Sequence, residues 1–412
     1  MIDARAARND PDGWRAALVR KGAAEAFDAF LAADRAWLEL VPQVDELRGR
    51  TKLKGKPTPE QLEELRQVKE QLAALEARIA EAERGRQEAL DLVPNPPDPT
   101  APDGVAEEDA EEVRRVGEAP AFDFEPKDHV DLGVPAGWLD LERAARLSGS
   151  RFAYRMGDFA LVELAMYRYA LDTLAGKGFV PVITPVLVRD TAMYGTGFFP
   201  TDEVNIYGVE RDELYLVGTS EVALAGLHMG EALDEAELPR RYVGYSTCFR
   251  REAGAAGKDT RGMFRVHQFD KVEMFVFCRP EDSRDEHERI LANEEELVRG
   301  LGLPYRVLNI AAGDLGASAT KKYDIEAWFP GQGRYREITS ASNTTDFQAR
   351  RLDARFRREG GKLEHLHTLN GTAVTARALI AVVENFQQAD GTVAVPEALV
   401  ACGAPAVMRP RA

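Results

Sequence analysis

Cysteine is nearly missing from this chain: Cys248, Cys278 and Cys402 are an odd number at wide spacing, which excludes a disulfide framework and any paired-cysteine zinc pattern. A reducing compartment is the expectation. Basic charge is also short, with 53 Lys and Arg against 69 Asp and Glu and a formal net charge of −16. No general cationic coat for nucleic acid exists, so any RNA must be met by local basic patches. Nowhere do the roughly 18 apolar residues needed to span a bilayer run together, and the opening MIDARAARNDPDGW has no apolar signal core. The expectation is a soluble, cytoplasmic protein with no membrane partner. A GxxxxGK(S/T) loop and a GxGxxG after a strand are also missing, which excludes the usual Walker and Rossmann nucleotide sites. What is there is a chain of 412 residues, long enough for about two to four domains with a sizeable core.

Residues 1–93 are rich in Ala, Glu, Leu, Arg and Gln, and no proline follows Pro59 before Asp91, so Thr58 to Asp91 reads as one long helix. Leu65, Val68, Leu72, Leu75, Ile79 and Ala82 step by threes and fours as a heptad seam does, and Phe30, Ala33, Trp37, Leu40, Val44 and Leu47 answer them. Two helices zipped antiparallel follow, the first expected to kink or break at Pro42. Between them Arg48, Arg50, Lys52, Lys54 and Lys56 gather among Gly49, Gly55 and Pro57 with no acid in the stretch, which makes the hairpin tip basic. Residues 94–120 turn Pro-rich and then acidic, reading as a linker with one short helical piece. From 121 to 412, runs such as YLVGTSEVAL and FDKVEMFVF alternate with helical ones such as RDEHERILANEEELVRGL, which predicts an α+β domain built on an antiparallel sheet.

Four stretches carry residues suited to chemistry. Residues 245–252 and 264–275 flank a Gly-rich basic loop, a hairpin in which Lys258 and Arg261 can meet phosphates. Arg250 at the strand end suits bidentate capture of an α-phosphate, and Glu252 is expected two residues on along the same strand face. Glu273 stands in an apolar strand, where an unpaired carboxylate is costly; it either meets a cation or hydroxyl, or forms a core-edge salt bridge with a nearby Arg. Glu337 and Ser340 are oxygen types that ligate Mg2+ on nucleotide phosphates. Gly371 is read as opening an apolar helix in which Arg377, with no acid within a turn, needs an anion from elsewhere: a triphosphate or a structural partner. Thr219, Ser220 and Glu221 form a turn that can hold a small zwitterion or cap a helix. His365 and His367 lack companions at ligand spacing, so no structural zinc is expected.

Together and in this order these strings resemble the bacterial type of the seryl-tRNA synthetase family, within the class II aminoacyl-tRNA synthetases. GFVPVITP, ending at Pro185, follows the helical FALVELAMYRYALDTLA and is similar to motif 1; FRRE with DTRG and VHQFDKVE is similar to motif 2; LNGTAVTARALIAVVENFQQADG with VPEAL is similar to motif 3. The resemblance spans nearly the whole chain and implies an N-terminal tRNA-binding coiled-coil arm at 1–93, a linker at 94–120 and a class II catalytic domain at 121–412. It implies ATP and Mg2+, with Arg250 on the α-phosphate, Arg251 and Glu252 at the nucleotide, Phe264 stacked on adenine beside Val266, and Arg377 on the γ-phosphate side. Glu337 and Ser340 match the Mg2+ positions, with Ile338 and Thr339 between them at the ATP. L-Serine falls to Thr219, Ser220, Glu221, Glu273 and Thr372. Arg250, Glu337 and Arg377 are thereby the catalytic set, and Arg48, Arg50, Lys52, Lys54 and Lys56 the tRNA contacts. The family pattern further implies a homodimer, tRNA(Ser) and, where a host has it, tRNA(Sec). Arg251 departs from the Ser common in relatives. A serine-activating ligase that loads a non-tRNA carrier is the alternative, disfavoured by the retained basic-tipped arm; an inactive RNA-binding paralogue has no reason to keep all the ATP-gripping residues.

Overall fold

A computed structural model describes residues 1–52, 58–254, 257 and 259–411. The chain divides into two compact units, 1–96 and 97–412. In the first, helices α1 (Ala4–Asn9) and α2 (Pro11–Val19) precede the long α3 (Ala24–Arg50) and α4 (Pro59–Asp91). Thr58 starts α4 through a capping box with Gln61, followed by Pro59 in the first helical position, where a missing N–H costs nothing. The two seams behave as their spacing requires: Phe30, Val44, Val68 and Leu75 are buried and the other eight positions half-buried. The pairing is antiparallel, since Asp34 meets Arg86, Arg48 meets Glu76 and Arg50 meets Glu64. Pro42 does not break α3, which runs through it. The proline is exposed, so the carbonyl it leaves without an N–H can turn to water.

The second unit is built on eight strands: β1 (Glu111–Val116), β2 (Val180–Ile183), β3 (Arg240–Phe249), β4 (Gln268–Cys278), β5 (Tyr305–Asn309), β6 (Lys321–Phe329), β7 (Arg334–Thr345) and β8 (His367–Thr375). They lie in the order β1-β5-β6-β7-β8-β4-β3-β2, antiparallel except where β2 joins β3. The stretch expected to be linker thus contributes β1, an edge strand paired with β5 and exposed along most of its length. Short α5 (His129–Gly133) and the longer α6 (Asp158–Ala175), α7 (Ser283–Gly300) and α8 (Ala376–Asn385) complete the elements used below.

Strand alternation sorts the sheet into two faces. Val272, Met274 and Val276 of β4, Ala341 of β7, and Leu369 and Ala373 of β8 join one core with α6, α7 and α8. Gly371, inside β8 rather than at a helix start, is required by this packing: a Cβ there would lie 2.2 Å from Ile290 Cγ2 on α7. The helix begins instead at Ala376, with the Thr375 hydroxyl accepting from the Arg377 N–H. Among the described residues, no helix is long and apolar enough to cross a membrane.

Candidate active site

The opposite face of the sheet floors a cavity of about 420 Å3. Lys271 and Glu273 enter it from β4, Asn370 and Thr372 from β8, Ser340 and Ser342 from β7. Glu337 enters as well, although three residues from Ser340 it would face away in a regular strand. A register shift inserts Ile338 as an extra residue, since Thr339 opposes Ile325 while Glu337 opposes Glu326, and this bulge turns the carboxylate to the hydroxyl's side. The same device in β8, where Val374 opposes Val272 and Thr372 opposes Glu273, lets both Thr372 and Thr375 line the cavity.

At one end the groups are suited to a small zwitterion. Glu273 takes Lys271 Nζ at 2.5 Å and the Thr372 hydroxyl at 3.2 Å, so its partner is a lysine from its own strand rather than an arginine. Glu221 begins a short helix, its N–H donating to the Thr219 hydroxyl, and its carboxylate accepts from Gln348 Nε2 at 2.7 Å and Asn370 Nδ2 at 3.0 Å. Burial, reinforced by the charge of Glu273, pushes the Glu221 carboxyl up to about 7. A bound ammonium would draw it back to the ionised form.

The other cations that line the cavity rest on fixed supports. Arg250 donates from Nε to the Gly218 carbonyl at 3.0 Å and lies 5.4 Å over the Phe269 ring. Arg377 Nη1 is 3.2 Å from Glu337. Burial works against the Glu337 charge, but Arg377, Lys322 and Arg250 outweigh it and hold this carboxyl below its ordinary range. The Phe264 ring carries Arg336 at 3.9 Å and Arg377 at 4.7 Å. Glu252 lies beyond the end of β3, at a φ of +53°, not on the strand face expected of it. That left-handed backbone is uncommon for a side-chain-bearing residue, and it brings Glu252 to Arg265 at 2.6 Å.

Most of the expected site residues are brought together here: Thr219, Glu221, Glu273 and Thr372, with Arg250, Glu252, Phe264, Val266, Glu337, Ile338, Ser340 and Arg377. Three are not among the cavity-lining residues. Ser220 is fully buried with its hydroxyl unpartnered. Arg251 is exposed, over the Tyr207 ring at 5.8 Å. Thr339 donates to Glu294 on α7, behind the sheet, because alternation sends it opposite to Ser340. Arg261 is not a free loop cation, being paired with Asp128 and Asp131; Lys258 lies outside the described residues. On the arm, Arg48 and Arg50 are ion-paired across the helices rather than lacking acids, Lys52 is exposed, and Lys54 and Lys56 lie outside the described residues. Sequence reasoning missed Lys271, whose i, i+2 spacing from Glu273 in an extended strand was a usable signal. It also missed Lys322 and Asn370, which only the sheet order brings near.

An antiparallel sheet flooring a cavity that holds arginines, acids and small polar groups fits the catalytic core of a class II aminoacyl-tRNA synthetase. Residues 207–386 accordingly match the tRNA synthetase class II core domain (G, H, P, S and T), and residues 1–97 match the Seryl-tRNA synthetase N-terminal domain. The serine–tRNA ligase of Acidothermus cellulolyticus is 49% identical over 421 residues, covering 100% of each chain. That of Corynebacterium glutamicum is 47% identical over 412 residues, covering 97% of this chain and 96% of that one. Among solved structures, seryl-tRNA synthetase from Pyrococcus horikoshii complexed with ATP superposes with a TM-score of 0.94 at 42% identity over 100% of both chains. The cytoplasmic serine–tRNA ligase of Naegleria fowleri in complex with AMP gives 0.88 at 34% identity, over 98% of this chain and 96% of that one. The chain belongs to the seryl-tRNA synthetase family.

Proposed function

We infer that this protein is a serine–tRNA ligase, activating L-serine with ATP and transferring it to the 3′ end of tRNA(Ser). The observation that carries the reading is one cavity joining Arg250, Arg377 and Glu337 to Glu221, Glu273 and Thr372. No protein nucleophile is needed. The serine carboxylate attacks the α-phosphorus in line, the bond to the β-phosphate oxygen breaks, and pyrophosphate leaves while Arg250 and Arg377 hold the phosphate charge. The terminal ribose hydroxyl of tRNA then attacks the seryl carbonyl and AMP departs. Glu273 and Thr372 meet the substrate hydroxyl and Glu221 the ammonium. A site that hydrogen-bonds a hydroxyl rejects an amino acid lacking it by about 10^4-fold or more.

Phe264 and Val266 meet the adenine, with Glu252 at its edge. Glu337 and Ser340 would hold Mg2+. The fit rests on the bulge that turns a carboxylate and a hydroxyl to one side, hard oxygen donors that leave room for phosphate and water. Bound there, Mg2+ neutralises charge on the phosphates. Lys52, Lys54 and Lys56, with Arg48 and Arg50 after exchange of their acidic partners, contact the tRNA backbone. A second copy covers Leu161 and Leu164 of α6 with Val180 and Ile183 of edge strand β2, which are 52%, 60%, 54% and 87% exposed. The reading carries with it a cytoplasmic location and, in a host that has it, serylation of tRNA(Sec).

ATP–pyrophosphate exchange across all twenty amino acids, followed by charging of total tRNA with the winner, tests the assignment. Serine-dependent exchange with charging is expected. Exchange without charging would favour a carrier-loading ligase, and no exchange would overturn the reading.

A further inference from the structure

The limb that presents Phe264 to the cavity is clasped from behind by a buried pair. His129, at the start of α5, is 4% exposed, and its Nε2 lies 3.1 Å from the Met263 backbone N–H. That nitrogen must accept, so the imidazole is neutral with its proton on Nδ1. Nδ1–H faces Glu384 Oε1 at 3.1 Å. Glu384 is 0% exposed and sits in the last turn of α8, where the helix dipole disfavours a carboxylate. Three donors compensate: the backbone N–H and Nδ1 of His129 on one oxygen, and the Gly331 N–H at 3.1 Å on the other.

The fit around this pair is close. Gly262 has a φ of +74°, and a Cβ on it would lie 2.2 Å from His129 Nε2, so both its backbone conformation and its missing side chain are needed. Arg261 pins the same limb to Asp128 and Asp131, on either side of His129. Helix α8 therefore reaches Phe264 twice: through Arg377 in its first turn, 4.7 Å over the ring, and through Glu384, His129 and Met263 from its last.

We propose that His129 and Glu384 are a positioning pair for the nucleotide: Glu384 holds His129 in one tautomer, and His129 holds the Met263–Phe264 backbone so that the ring meets the adenine base. The inference rests on the ATP-dependent activity argued above. A plain buttress would lower stability without distinguishing the two substrates. Loss of the Met263 tether instead moves the ring, which ATP feels and serine does not, because the serine contacts lie on the sheet and on the Thr219–Glu221 turn.

His129→Leu removes the acceptor and leaves the Met263 N–H unpaired. In serine-dependent ATP–pyrophosphate exchange its KM for ATP is expected to rise about tenfold or more, with the KM for serine changed by less than about twofold. His129→Gln, which returns an oxygen near the Nε2 position, recovers most of the loss. Glu384→Gln keeps the shape of the side chain but can turn an amide N–H toward Nδ1, which releases the tautomer that lets Nε2 accept, and is expected to show the same ATP-selective defect; it decides the matter if His129→Leu does not fold. An unchanged KM for ATP in folded variants, or equal rises for both substrates, overturns the proposal. Absence of serine-dependent exchange in the unmodified protein would instead overturn the activity on which it rests.

Discussion

In the arm, Arg48 pairs with Glu76 and Arg50 with Glu64 through side chains that are all at least 42% exposed. In the sheet, Lys271 pairs with Glu273 through side chains only 8% and 2% exposed. Pairs of the first kind contribute about 0–1 kcal/mol and are screened by salt. Breaking one of the second kind leaves a buried charge alone, at about 3–5 kcal/mol. The difference separates two uses of charge. The arm's cations can trade a carboxylate for a phosphate at little cost, whereas the charges of the sheet are committed to one geometry before any substrate arrives.

The sharpest way to break that contrast is Arg250→Ala, expected to lower serine-dependent exchange by about 100- to 1,000-fold with the thermal midpoint little changed. Glu273→Gln follows: it leaves Lys271 without its counter-charge and replaces a carboxylate by a neutral amide with a single acceptor oxygen, and the KM for serine should rise about 10- to 100-fold. The Glu221 carboxyl, near 7 because of burial and the neighbouring Glu273, gives a pH signature. It is ionised above about pH 7 and protonated below, and an ammonium pairs with the ionised form. The KM for serine should therefore climb as pH falls, approaching about tenfold per unit; Glu221→Gln should flatten the profile, and a flat profile in the unmodified protein would remove Glu221 from the ammonium site. The smallest effect belongs to the arm. Replacing Lys52, Lys54 and Lys56 together with Ala should leave exchange unchanged, raise the KM for tRNA by about severalfold and reduce its salt dependence. Equal losses in exchange and charging would erase the division of labour between the two units.

The same contrast explains what could be read in advance. The arm's seam is a one-dimensional pattern, and every residue of the two heptad series lies at least half-buried where its spacing placed it. The four stretches singled out in the sequence likewise held most of the residues that meet in the cavity, though not Lys322. Pro42 misled because its local effect depends on which side of α3 it occupies. β1 was invisible because an exposed edge strand, EEVRRV, takes its form from backbone pairing with β5 and not from an apolar alternation. The bulges at Ile338 and Ala373 are set by cross-strand register, which no window of one strand contains. Glu252 and Arg261 were misplaced for a related reason: their partners Arg265, Asp128 and Asp131 are chosen by how a loop folds back.

The Lys271–Glu273 pair has a consequence for amino-acid choice that is independent of pocket size. It leaves the part of the cavity around Glu273 and Glu221, proposed above to take serine, close to electrically balanced, with Glu221 poised between charged and neutral. A zwitterion enters and leaves that balance intact. Aspartate or lysine would bring one extra charge for which Lys271 and Glu273, already paired with each other, leave no partner, a cost that grows as bound substrates exclude water. On the proposed reading, charged amino acids are expected to be disfavoured by electroneutrality as well as by shape.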